Sequence, residues 1–212
     1  MLPAQLIDAE ARTRLEQAVR AAEQGTCGEI VVAVTRACDD YPGAPWRLGV
    51  TLAALVFLAL ALFAPPLPLW SYLLAQVVAL LLAHALVRFD SLLRILLPRE
   101  LLERRVEARA RQAFCENGLQ RTAGRSGILI FVAMLEHRVV VLGDEGIDSV
   151  LDPDESWTGV VALAVDGLRE GRSVQGLEAA ITRCGEILRH HFPPSIQPEP
   201  NELSDHIVLL DE

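Results

Sequence analysis

An α/β/α sandwich on a small mixed sheet, opened after its first strand by a two-helix transmembrane hairpin, is the fold this sequence predicts. Three observations predict it. Leu48–Val87 is a run of forty residues without a formal charge. Short β-branched runs lie on both sides of it, at Glu29–Thr35 and Gly127–Leu135. Stretches with apolar residues at helical spacing precede, separate and follow those runs. Alternation of helical and extended segments is the pattern of an α/β layer fold.

Asp8 stands at an N-cap position, and Leu15, Ala18, Val19 and Ala22 recur at helical spacing until Gly25. Glu29-Ile-Val-Val-Ala-Val-Thr35 is apolar on both faces, as a strand covered on both sides must be. Arg36–Arg47 is expected to be a polar connector with a turn at Tyr41-Pro-Gly43. Leu48–Ala64 and Leu69–Val87 follow, separated by Pro65-Pro66-Leu67-Pro68. A bilayer core of about 30 Å takes roughly 17–25 apolar residues in a helix, so each block crosses once. Neither block keeps the polar stripe of a soluble helix. Adjacent prolines, which lack an N–H and clash with the preceding turn, force the reversal between them.

Asp90–Leu97 is expected at the membrane interface, ending before Pro98. A helix then runs to about Glu116, burying Leu102, Val106, Ala110, Ala113 and Phe114, and stops at Asn117-Gly118. Gly127–Leu135 and Arg138–Gly143 are strands joined through Glu136-His137, a link so short that they must pair antiparallel. Acidic residues crowd the loop that follows, from Asp144 to Glu155; Ser156 can cap a helix from Trp157 to Arg169, and Ser173 opens another that ends at His190-His191-Phe192-Pro193. Residues 194–200 are proline-rich and read as extended; Ile207–Leu210 reads either as an edge strand or as surface packing. The domain is thus discontinuous, 1–47 with 88–212, around the hairpin at 48–87, and its first strand must find its partners across the excursion.

Net charge is −9, and all nineteen basic residues are arginine. The absence of lysine excludes Schiff-base chemistry, a P-loop and a kinase ATP site. Nine arginines and five acids fall in 88–126, whereas 127–212 holds five arginines and sixteen acids. The arginines from Arg88 to Arg111 can meet anionic lipid headgroups, while the acidic remainder would repel a nucleic acid. Arginines flank both ends of the apolar stretch and none lies in its turn, so the positive-inside rule puts both termini in the cytoplasm. The opening Met1-Leu-Pro-Ala-Gln-Leu6 has neither the basic nor the apolar region of a secretory signal. A multi-pass protein of a bacterial inner membrane is the expected localisation, with Cys27, Cys38, Cys115 and Cys184 reduced.

Ala22-Glu-Gln-Gly-Thr-Cys-Gly-Glu-Ile30, Gly118-Leu119 with Thr122, Arg125 and Gly127-Ile-Leu-Ile130, and Val141-Leu-Gly-Asp-Glu-Gly-Ile147 occur in that order. With Trp157, Gly176-Leu177 and Asn201-Glu-Leu203 they resemble the TPM domain family, which includes YgcG-type bacterial membrane proteins and photosystem II repair proteins. The resemblance implies an α/β/α sandwich, usually membrane-tethered, and, from plant members, weak phosphatase activity and divalent-metal binding. Many relatives carry an export signal and a terminal anchor. Here the anchor interrupts the domain, so lumenal roles do not carry over.

Asp144 is the leading site candidate, since an Asp at a strand end followed by a glycine can project its carboxylate into a cleft. With Glu29, Asp148 or Asp152 it could hold a hard divalent cation, Ca²⁺ or Mg²⁺, through oxygen; the competing reading is an Asx turn. Cys115 and Arg121 have cysteine-phosphatase spacing, but the loop does not follow a strand. Asp152-Pro-Asp154 resembles an aspartate-phosphatase motif without the strand or the lysine it needs. The five histidines fit no H-E-x-x-H pattern. No complete catalytic constellation emerges, so catalytic residues remain unassigned. The expected function is a non-enzymatic interaction or assembly factor for other membrane proteins. The alternatives are a weak metal-dependent phosphoesterase at Asp144 and a subunit of a membrane complex or pore.

Overall fold

A computed structural model describes residues 8–63, 67–122, 124–152, 155–194 and 206–210. The chain divides into two compact units, one drawing on the chain up to Cys38 and from Arg104 onward, the other formed by Asp39–Glu103.

The first unit is organised by a four-stranded mixed sheet. β1 (Ile30–Thr35) and β2 (Ile128–Ala133) are fully buried along their length and pair in parallel, from Ile30 opposite Ile128 to Thr35 opposite Ala133. β3 (Arg138–Gly143) pairs antiparallel with β2 on one side. β4 (Val208–Leu209) pairs parallel with β1 on the other, giving the order β3-β2-β1-β4. The edge-strand reading of Ile207–Leu210 is therefore the right one. The pairing of β1 with β2 spans the whole apolar excursion, as the sequence required.

Alternate residues of a strand face opposite sides, and the two sides have separate cores. Ile30, Val32, Val34, Ile128 and Ile130 lie under α1 (Ala9–Glu23), α7 (Trp157–Arg169) and α8 (Ser173–His191). Val31, Ala33, Leu129 and Phe131 lie against Val106, Ala110, Ala113 and Phe114 of α5 (Arg99–Glu116). Asp8 caps α1 as its position predicts, its Oδ1 accepting from the Ala11 N–H at 2.7 Å.

The second unit holds α2 (Gly43–Phe63), α3 (Leu69–Leu86) and α4 (Asp90–Leu96). Gly49 faces Leu80 and Ala83, and the Phe57 ring is 6.1 Å from that of Tyr72, so α2 and α3 run antiparallel. The two helices are long and apolar enough to span a membrane, and only 6% and 11% of their apolar windows are buried. Pro98 ends α4 as expected, with Leu97 extended at φ −90°, ψ 134°.

Four expectations are corrected. α2 begins at Gly43, not Leu48, because Pro45 falls in the first turn, where a missing N–H costs nothing. The β2–β3 ladder ends at Ala133 opposite Arg138, leaving a four-residue link instead of two. Leu135 breaks the alternation by turning its N–H to the Arg36 carbonyl at 2.8 Å, and the link is closed by the His137 N–H on the Met134 carbonyl at 3.3 Å, with His137 at φ 52°. The acidic stretch after Gly143 begins with a one-turn helix, α6 (Glu145–Asp148), rather than continuous loop. Ser156 occupies the N-cap of α7 without making a side-chain capping bond. Pro65-Pro66, Asp154, 195–200 and Asn201-Glu-Leu203 lie outside the described residues.

Candidate functional site

β3 delivers Asp144 to a knot of loops rather than to an open cleft. Its Oδ1 accepts from the Glu145 N–H at 2.8 Å and so caps α6. Arg125 reaches the same carboxylate, Nε to Oδ2 at 3.3 Å and Nη2 to Oδ1 at 3.4 Å, and pairs with Glu145 at 3.0 Å. The hydrogen bond to Asp144 and the charges of Asp144 and Glu145 push the Arg125 pKa up, so the guanidinium stays charged. The 124–125 backbone lies on α6: the Ile147 N–H reaches the Arg125 carbonyl at 3.3 Å. A Cβ on Gly146 would sit 2.5 Å from that carbonyl oxygen. Only glycine permits so close a backbone approach, and this explains the Gly143-Asp-Glu-Gly146 pattern by packing and capping.

Of the three residues read as metal partners of Asp144, Asp148 and Glu29 are placed as follows. Asp148 accepts the Trp157 indole N–H at 2.8 Å, closing α6 onto α7. Glu29 is buried just before β1, and its carbonyl receives the Ile128 N–H at 2.8 Å.

A convergence of ligand-type side chains does exist, elsewhere in the same unit. Asp152, Glu155, His190 and His191 each offer one ligand atom, and these atoms lie within 4.8 Å of one another. Asp152 and Glu155 are tied together by the Glu155 N–H on the Asp152 carbonyl at 2.8 Å and by the Asp152 N–H on Glu155 Oε2 at 3.4 Å. Across from them is the last turn of α8. Side chains of successive helical residues diverge by about 100°, yet both imidazoles meet one carboxylate. His190 does so with Nδ1, 3.3 Å from Oε1, and His191 with Nε2, 2.5 Å from Oε2. Using the near nitrogen on one ring and the far nitrogen on the other absorbs the divergence, and the rings lie tilted with centroids 4.5 Å apart. Burial alone would raise the Glu155 pKa; hydrogen bonds with His191, the Asp152 N–H and His190, and the charge of His191, outweigh it and hold the carboxyl below its ordinary value.

Sequence reasoning had both halves of this cluster without joining them. The acidic loop and the His-His pair were each visible, but 35 residues separate Glu155 from His190, and no periodicity relates a loop to the far end of a later helix. The adjacent histidines closing an amphipathic helix were the usable signal.

Residues 90–187 match the family profile of the TPM domain. That segment begins after the apolar helices, so α1 and β1 lie outside it although β1 is central in the sheet. No curated protein matches the chain. Among solved structures, the NMR structure of BA42 protein from the psychrophilic bacterium Bizionia argentinensis is similar at a TM-score of 0.59 and 20% identity. The alignment covers 96% of this chain and 94% of that one. At that identity the likeness concerns the fold alone.

Proposed function

We propose, from the match of residues 90–187 to the TPM domain profile, a membrane-anchored, non-enzymatic docking or assembly factor of the TPM type for other membrane proteins. In this reading the sheet-bearing unit sits at the cytoplasmic face of a bacterial inner membrane. The observation that carries it is the pair of apolar helices, of which 6% and 11% is buried. A core helix of a soluble protein is mostly covered, and two helices this bare need another apolar phase. At 1.5 Å per residue, 21 and 18 residues give about 31 and 27 Å, the thickness of a bilayer core. Trp46 and Trp70 stand exposed in the first turns of α2 and α3, at opposite ends of an antiparallel pair, where interfacial tryptophans belong. Phe89 and Ile95 are exposed around α4 beside Arg88 and Arg94, a composition suited to a headgroup boundary.

The non-enzymatic half of the reading is supported by Asp144, whose oxygens are engaged by Arg125 and the Glu145 N–H. A phosphoesterase would need that carboxylate free for metal or substrate. Purified protein is therefore expected to show no phosphate-ester turnover that Asp144→Ala abolishes. Cross-linking in native membranes followed by capture of the full chain is expected to recover discrete membrane-protein partners. Recovery of the chain in the soluble fraction after carbonate washing would sink the anchored reading.

A further inference from the structure

We propose that Asp152, Glu155, His190 and His191 form a binding site for a borderline-soft divalent transition metal of the Zn²⁺ class, which clamps Asp152 and Glu155 to the end of α8. The proposal is independent of the membrane reading and of the hard-cation expectation at Asp144. Two imidazoles in a set of four donors select Zn²⁺-type ions, since Ca²⁺ and Mg²⁺ take oxygen ligands. Tetrahedral coordination with bonds of about 2.0–2.2 Å places ligand atoms about 3.4 Å apart. The imidazole–carboxylate separations of 3.3 and 2.5 Å, and the 4.8 Å outer limit of the group, bracket that value.

Charge points the same way. Two neutral imidazoles and two carboxylates neutralise a dication, and the site lies at the C-terminal end of α8, where the helix dipole favours a cation. His191 and Glu155 are mostly buried, with 12% and 13% of their side chains exposed, whereas His190 is 61% exposed. One imidazole and one carboxylate are thus positioned by the fold, and the exposed pair, His190 and Asp152, can close over an ion arriving from solvent. Four protein ligands would leave no open position, which makes the site structural rather than catalytic.

The test uses the full chain in detergent micelles, stripped with chelator and titrated with Co²⁺ alone, then Zn²⁺. Co²⁺ is expected to give visible d–d bands of a four-coordinate site at one equivalent, displaced by Zn²⁺ but not by Mg²⁺ or Ca²⁺. Zn²⁺ is also expected to raise the melting temperature of the unaltered chain. His191→Ala and Glu155→Gln should lose both effects, and His206→Ala, remote from the site, should keep them. Bands that survive in a His190→Ala/His191→Ala variant would overturn the proposal, as would a wild-type chain that takes up no Co²⁺. A readout without substitution guards against variants that fail to fold: Zn²⁺ should protect His190 and His191 from diethyl pyrocarbonate. Equal modification with and without Zn²⁺ would also count as refutation.

Discussion

Asp144 and Cys184 show how much a single side chain's surroundings decide. Asp144 has two oxygens and three donors around them, so removing its carboxylate takes away the cap of α6 and leaves Arg125 facing Glu145 only. A lost N-cap costs about 1–2 kcal/mol, while the half-exposed arginine adds little because solvent screens it. Asp144→Ala is expected to lower unfolding stability by about that amount in urea titrations, and Asp144→Asn, which keeps a cap acceptor, by clearly less. Equal losses in both would show that the charge rather than the cap matters. Cys184 is wholly enclosed among core residues of α8, and burial pushes its thiol from 9.0 up to about 12, against a small opposing pull from Arg183. At pH 8 the thiolate fraction then falls by about 10³-fold. Native protein should be alkylated by iodoacetamide at exposed Cys115 and spared at Cys184 until denaturant is added, a difference peptide mass spectrometry reads directly.

Between elements, close approaches of helices carry the packing. α7 and α8 cross at Gly167 and Gly176, where a Cβ on Gly167 would lie 2.5 Å from the Gly176 Cα. Backbone cannot swing aside as a side chain can, so overpacking here costs about 1–3 kcal/mol. Alanine's better helix propensity returns under about 1 kcal/mol. Gly167→Ala is therefore expected to be destabilising by roughly 1–2 kcal/mol in thermal or chemical melts, although the same change on an exposed helix stabilises. The β4 segment is tied to α1 through Glu16, which pairs with His206 and with Arg12, each at 3.1 Å. Burial would raise the Glu16 pKa, but hydrogen bonds with His206 and Arg12 and their charges outweigh it, and the net shift is downward. A lowered carboxylate pKa stabilises above the ordinary value of 4.5 and loses that contribution as pH falls through the lower native value. Amide protection at Leu210, whose N–H meets the Val34 carbonyl at 3.1 Å, should fall over that acid range and lose its pH dependence in Glu16→Gln. Elements of this kind were readable from sequence where one segment's own pattern settles the matter: the two-faced apolar run of β1, the stripe of α8, the stop at Gly118 with φ 73°. They were not readable where a partner distant in sequence decides. Leu135 turns away from β3 because of Arg36, and α6 forms because Arg125 and Gly146 hold it down. The acidic loop finds its histidines only through tertiary folding.

At the scale of the whole molecule, the parallel register of β1 on β2 constrains where the chain can travel. Six consecutive residues of β1 pair with six of β2, while α2, α3, α4 and α5 lie between them in sequence. If α2 and α3 each cross a bilayer once, the chain returns to the side it left, and the sheet can close in one compartment. If only one of them crossed, Thr35 and Ala133 would be separated by the membrane and their pairing could not exist. In the proposed anchored form the strand register and an even number of crossings would be one requirement seen twice, and by the positive-inside rule the arginines at both ends of the stretch would set it on the cytoplasmic side. Single cysteines at Asp40, Leu69 and Arg111, in a chain with Cys27, Cys38 and Cys115 changed to Ser and Cys184 to Ala, read this out. A membrane-impermeant maleimide should label Leu69→Cys alone in spheroplasts, and Asp40→Cys with Arg111→Cys in inside-out vesicles. Should Asp40→Cys and Arg111→Cys be labelled from opposite faces, no membrane-inserted form of this chain could contain the β1–β2 pair, and the anchored reading would fall with it.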